Sequence, residues 1–134
     1  MKSIFIADDE LIIRQGLKCI IEWEELGFEI IGEASNGEDA LHFIRQHCPD
    51  VVMLDIRMPK LNGLDVVNAL RNDGYKGKVI ILSGFSEFKY AQMAIRYGVE
   101  YYLTKPIDDE ELYATIKKIG EKIDGESAQK DNLE

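Results

Sequence analysis

The sequence predicts an α/β protein, a parallel five-stranded sheet covered by helices on both faces, and three observations predict it. Short strand-like runs alternate with helical patterns five times along 134 residues, the signature of repeated βα units. Two of the runs, Val51-Val52-Met53-Leu54 and Val79-Ile80-Ile81-Leu82, are apolar without interruption, as strands buried on both faces are. Charged residues also stand at the strand ends, at Asp8, Asp55 and Lys105, and right-handed crossovers put all such ends on one side of the sheet.

The elements follow in order. A first strand at 3–8 leads into a helix with the stripe Ile13, Leu17, Ile20 and Ile21. Trp23 is expected to pack at the end of that helix. A second strand at 28–34 precedes a helix using Ala40, Leu41, Ile44 and Cys48. The third strand, 50–55, is followed by a helix with Val66, Val67 and Leu70, and the fourth, 78–83, by one with Ala91, Ala94 and Ile95. In that fourth helix Tyr90, Met93 and Tyr97 recur at helical spacing on a second face. This favours a partner surface; the alternative is a wide apolar stripe whose rings cover neighbouring side chains. After a fifth strand at 99–103, the last helix carries Leu112, Ile116, Ile119 and Ile123 on one face. It opens with Asp108 three residues before Glu111, a capping-box-like start. One domain is expected over residues 1–124, with 125–134 a polar tail or linker stub.

Composition narrows the function. The net charge is −9 and the pI near 4.7, and the lysines and arginines form no patch, so this domain itself is expected to repel nucleic acid. Met1-Lys2-Ser3 runs into an apolar strand too short for a signal-peptide core or a membrane span, which points to a cytoplasmic protein away from the membrane. Cys19 and Cys48 lack metal-ligand spacing and are expected as reduced, buried thiols. His42 and His47 are expected as exposed helical residues.

The strand ends carry the chemistry. The run Ile4-Phe5-Ile6-Ala7-Asp8-Asp9-Glu10 ends a buried strand on an acidic pair, and Asp55 and Lys105 end two others. Carboxylates a few ångströms apart repel by about 4 kcal/mol per pair at an effective dielectric of 20, so the cluster needs a divalent cation or a raised pKa. The residues read as a magnesium (Mg2+) site around a nucleophilic aspartate. Asp55 can attack a phosphoryl group in line and form an acyl phosphate. Lys105 offers a point charge to a phosphoryl oxygen. Ser83 offers a hydroxyl donor, and Gly84 beside it permits close backbone approach.

These residues resemble the receiver domains of bacterial two-component response regulators. The resemblance rests on Asp8-Asp9-Glu10, Asp55 followed by Met58-Pro59 and Gly63, Ser83-Gly84, and Lys105-Pro106-Ile107, in order and at family-like spacings. The stretches Trp23-Glu24-Glu25-Leu26-Gly27-Phe28 and Gly32-Glu33-Ala34-Ser35-Asn36-Gly37-Glu38 are similar to the YesN/AraC-type subgroup, whose receivers precede an AraC-type helix-turn-helix domain. The family implies a flavodoxin-like, doubly wound sheet of order 2-1-3-4-5. It implies that Asp55 is the phosphoacceptor, that Asp9, Asp55 and the backbone carbonyl of Arg57 bind magnesium directly, and that Asp8 acts partly through water. It implies a cis Lys105-Pro106 bond that aims the lysine inward. At Tyr102 it implies a switch aromatic that turns inward when the Ser83 hydroxyl moves to the phosphate; an ordinary edge-strand tyrosine is the equal alternative.

The expected partner is a sensor histidine kinase that presents a phosphohistidine, with a homodimer through the helix 4, strand 5 and helix 5 face. DNA is reached only through an output domain outside this chain. Such a chain catalyses only its own phosphorylation and dephosphorylation. A stand-alone receiver acting by protein–protein contact is the alternative. A haloacid-dehalogenase-like phosphatase wants a second acid two residues after the nucleophile, where Arg57 stands. A flavin carrier wants a Ser/Thr/Gly-rich loop after the first strand, where acids stand instead.

Overall fold

The computed structural model describes residues 1–84 and 88–132. Five parallel strands, β1 (Lys2–Ala7), β2 (Phe28–Ala34), β3 (Val51–Asp55), β4 (Lys78–Ser83) and β5 (Tyr101–Thr104), lie in the order β2-β1-β3-β4-β5. The helices are α1 (Leu11–Ile20), α2 (Gly37–His47), α3 (Gly63–Asn72), α4 (Phe88–Arg96) and α5 (Asp109–Asn132), with a short 3-10 turn at Glu24–Leu26. This is the parallel α/β sheet that the strand and helix patterns predict, in the flavodoxin-like order that the family resemblance implies.

Alternation along the strands divides the core in two. Phe5, Ala7, Val52, Leu54, Val79 and Ile81 face α2, α3 and α4, where Ile44, Val67, Leu70 and Ala94 meet them. Ile4, Ile6, Val51, Met53, Ile80 and Leu82 face α1 and α5, where Leu17, Leu112, Ile116 and Ile119 close the layer. Each fully buried Val, Leu or Ile contributes roughly 1.5–3 kcal/mol, so β1, β3 and β4 fix the sheet. Trp23 is buried as expected and donates through Nε1 to the Leu17 carbonyl at 2.9 Å.

Register aligns the strand ends that matter. Ala7 pairs with Leu54, Asp55 with Leu82 and Ser83 with Thr104. Helix starts are held by short polar side chains: Asn36 accepts from Asp39 N and Asn62 from Asp65 N, both at 2.8 Å. Asp108 accepts from Glu111 N at 3.2 Å, as its spacing predicts.

Four expectations are corrected. First, β5 begins at Tyr101 rather than 99. Second, α5 runs through the stretch expected as a polar tail and reaches Asn132; Lys2 of β1 bridges to Asp124 and Lys78 of β4 to Glu126. The last two residues of that tail lie outside the described residues. Third, both cysteines are free but exposed. Cys48 does not continue the α2 stripe, because it ends the helix in the left-handed region at φ 44, ψ 58. An L-residue there is strained by roughly 1–2 kcal/mol, so Cys48→Gly is expected to raise stability by about 1 kcal/mol, read as a higher urea midpoint.

The fourth correction concerns α4. Tyr90, Met93, Ala94 and Tyr97 stand at i, i+3, i+4 and i+7, one complete helical face. Ala94 is buried in the α2–α4 core, with Tyr90, Met93 and Tyr97 half-buried against it. Ile95, expected in the core, is 76% exposed. The tyrosines and Met93 thus pack against this core while keeping part of each side chain exposed, and the side of α4 carrying Ile95 faces outward.

Candidate functional site

Three strand ends and the segment after β5 bring the predicted residues together. Asp8 and Asp9 follow β1, Asp55 ends β3, Ser83 ends β4, and Lys105 follows β5. Lys105 N donates to the Ser83 carbonyl at 2.7 Å, so the segment after β5 stays locked to β4. The Lys105-Pro106 bond is cis. The Lys105 ammonium donates to Asp8 Oδ2 at 2.7 Å and to Asp55 Oδ2 at 3.2 Å.

Asp8 is fully buried, and contacts from several elements hold it. Its N–H donates to the Ala34 carbonyl at 3.1 Å, and Oδ1 accepts from Glu10 N at 2.9 Å. Its backbone carbonyl accepts from Arg14 Nη1 at 2.7 Å. Asp9 and Glu10 are exposed beside it. Carboxylate oxygens of Asp8, Asp9 and Glu10 lie within 4.8 Å of one another. Asp8, Asp9 and Glu10 thus form one acidic cluster, and Asp55 is joined to Asp8 through Lys105. Asp9 and Arg57 line a common open cleft of about 380 Å³ with Met58, Asn62 and Tyr90.

Electrostatics follow from this packing. Burial pushes the Asp55 carboxyl up to about 6, with the negative charges of Asp8 and Asp9 adding to the rise and Lys105 opposing it. Burial pulls the Lys105 amine down, but the Asp8 hydrogen bond and the charges of Asp55 and Asp8 outweigh it, and the net shift is upward. An all-oxygen donor set open to solvent, beside a carboxylate whose ionisation is disfavoured, suits a hard cation such as magnesium, which keeps several waters and takes one or two carboxylates.

Backbone placement explains the surrounding glycines. A Cβ on Gly63 would stand 2.3 Å from the Asp55 carbonyl oxygen, and one on Gly37 would stand 1.8 Å from that of Leu61. Only glycine lets α3 and α2 approach the loop that follows Asp55 this closely. On β4 and β5, Ser83 is buried and Tyr102 half-buried. They lie one diagonal step apart, because Ser83 pairs with Thr104 and Ile81 with Tyr102. Arg14 was not legible as part of the site: nothing in a lone arginine one turn into a helix says that it reaches back to the preceding loop.

The fold and this constellation define a class. Residues 4–117 match the response regulator receiver domain family, and the chain belongs to it: it is a receiver domain of the response regulators of two-component systems. Its relatives are transcriptional regulators. It is 40% identical over 119 residues to the transcriptional regulatory protein YesN of Bacillus subtilis, covering 89% of this chain and 32% of that protein. It is 41% identical over 119 residues to the transcriptional regulatory protein HptR of Staphylococcus aureus, covering 89% and 46%. The chain therefore spans less than half the length of these relatives. Among solved structures it is similar to the REC domain of AraT, a response regulator from Geobacillus stearothermophilus, with a TM-score of 0.88 and 39% identity over 94% of this chain and 98% of that one. It is also similar to a chain of the CheX-CheY-BeF3-Mg complex from Borrelia burgdorferi, with a TM-score of 0.78 and 26% identity over 88% of each chain.

Proposed function

We propose that this domain accepts a phosphoryl group on Asp55 from a phosphohistidine of a sensor histidine kinase and passes the signal to a transcriptional output. The observation that carries the reading is the Lys105 ammonium between two buried carboxylates, 2.7 Å from Asp8 and 3.2 Å from Asp55. At neutral pH an Asp55 carboxyl at about 6 is mostly ionised and so can act as nucleophile. An Asp55 oxygen attacks phosphorus, the P–O bond forms as the P–N bond breaks, and the imidazole leaves with a proton. Lys105 neutralises one phosphoryl oxygen and the Ser83 hydroxyl donates to another. Magnesium, held by Asp8, Asp9, Asp55 and the Arg57 carbonyl, supplies further charge neutralisation when bound.

The acyl phosphate then acts as a ligand that shifts a two-state equilibrium. Ser83 drawn toward the phosphate leaves room that the Tyr102 ring fills, which alters the α4, β5 and α5 face and promotes self-association there. Ile95 is an outward apolar residue of α4 available for that contact. The output is an AraC-type DNA-binding domain outside this chain, and the protein works in the cytoplasm. Among the described residues no helix is long and apolar enough to cross a membrane. The chain turns over no external substrate beyond its own phosphorylation and dephosphorylation.

Incubation with acetyl phosphate and magnesium tests the chemistry. One phosphate per chain is expected by intact mass, and Lys105→Ala is expected to slow labelling by roughly 100-fold, the usual cost of losing one donor aimed at developing charge. Equal labelling rates in wild type and Lys105→Ala contradict the assignment.

A further inference from the structure

Arg14 lies one turn into α1, and its guanidinium reaches back to the loop that carries the acidic pair. Nη1 donates to the Asp8 backbone carbonyl at 2.7 Å, and Nε to Glu33 Oε1 at 2.9 Å. The side chain is only 12% exposed. That carbonyl belongs to the peptide joining Asp8 to Asp9. A peptide is planar, so fixing its oxygen also fixes the direction of the Asp9 N–H and restricts where the exposed Asp9 carboxylate can point. Asp8 has other anchors in Ala34, Glu10 and Lys105. Glu33 secures the far edge of the guanidinium and also pairs with Lys18. Hydrogen bonds from Lys18 and then Arg14 hold its carboxyl below the usual range, so it stays charged near neutral pH.

We infer that Arg14 is a positioning residue for the cation site: with Glu33 as its anchor, it clamps the Asp8–Asp9 peptide to β2 and so pre-orients Asp9. The inference rests on the phosphoacceptor reading, and it makes a prediction opposite in sign to simple electrostatics. Removing a cationic side chain beside a cation site should tighten cation binding through reduced repulsion. Removing a clamp should weaken it, because groups that orient metal ligands typically carry 10–100-fold in affinity. Lysine keeps the charge but cannot fork between a carbonyl and a carboxylate.

The test is calorimetric titration of the full chain with magnesium chloride for wild type, Arg14→Gln, Arg14→Lys and Glu33→Gln, with urea unfolding of each measured separately. Both Arg14 variants are expected to bind magnesium roughly 10-fold more weakly, with Glu33→Gln between them and wild type. In acetyl phosphate labelling, the magnesium concentration for half-maximal rate should rise by the same factor, while the rate at saturating magnesium changes little. Unchanged or tighter binding in Arg14→Gln overturns the clamp, even where its urea midpoint falls. If that variant does not fold, Arg14→Lys decides alone, because it keeps the charge and loses the fork: weaker binding supports the clamp and wild-type binding overturns it. A wild type that binds no magnesium removes the phosphoacceptor reading and the clamp together, whereas normal wild-type binding with unaltered variants removes only the clamp.

Discussion

Asp55→Asn is expected to be more stable than wild type at pH 7.5 in the absence of divalent cations, by on the order of 2–3 kcal/mol. The Asp55 carboxyl rises from 3.8 to about 6 in the folded chain, so the native state holds this proton more tightly than the unfolded state does. Ionised Asp55 therefore opposes folding, fully above pH 6 and not at all below pH 4. Asparagine keeps the shape and removes the charge. The stability difference should be largest at pH 7.5, shrink as pH falls through 6, and vanish near 4. Urea unfolding in EDTA at several pH values measures it. A variant less stable than wild type at pH 7.5, or a difference independent of pH, contradicts this account of the site.

Magnesium is expected to stabilise wild type by a similar amount. The acids converge only in the folded chain, so the cation binds the native state and stabilises it by mass action, by about 2.7 kcal/mol at a hundredfold excess over Kd. At this chain length that raises Tm by roughly 10 °C. Asp9→Asn should lose most of the shift. Because Asp55 must be deprotonated to ligate, the shift should also be smaller at pH 5 than at pH 7.5. A Tm insensitive to millimolar magnesium in wild type, or equally sensitive in Asp9→Asn, contradicts the ligand assignment.

Much of this was legible because burial writes itself into composition. The β3 and β4 runs could only be central strands, and right-handed crossovers then carried Asp8, Asp55, Ser83 and Lys105 to one edge. Asp108 announced the start of α5 through a short-range hydrogen bond, which spacing captures. Other features depend on partners distant in sequence. In α4 the choice between two apolar faces was decided by the α2–α4 core, which took the tyrosines and left Ile95 outside. Cys48 looked like one more apolar position, yet its backbone turns left-handed to end α2. The continuation of α5 past Ile123 shows no periodicity, and ion pairs to Lys2 and Lys78 of the sheet accompany it instead. Arg14 carries no sequence signal for its contact with the Asp8 carbonyl at 2.7 Å.

The central claim is that Asp55 is a nucleophile, and the bond it forms identifies it. After labelling with acetyl phosphate and magnesium, the phosphate on wild type should survive acid but be released by base and by hydroxylamine, as an acyl phosphate is, and Asp55→Ala should carry none. A phosphate that resists hydroxylamine, or one that persists in Asp55→Ala, would place the chemistry on another residue and contradict the account.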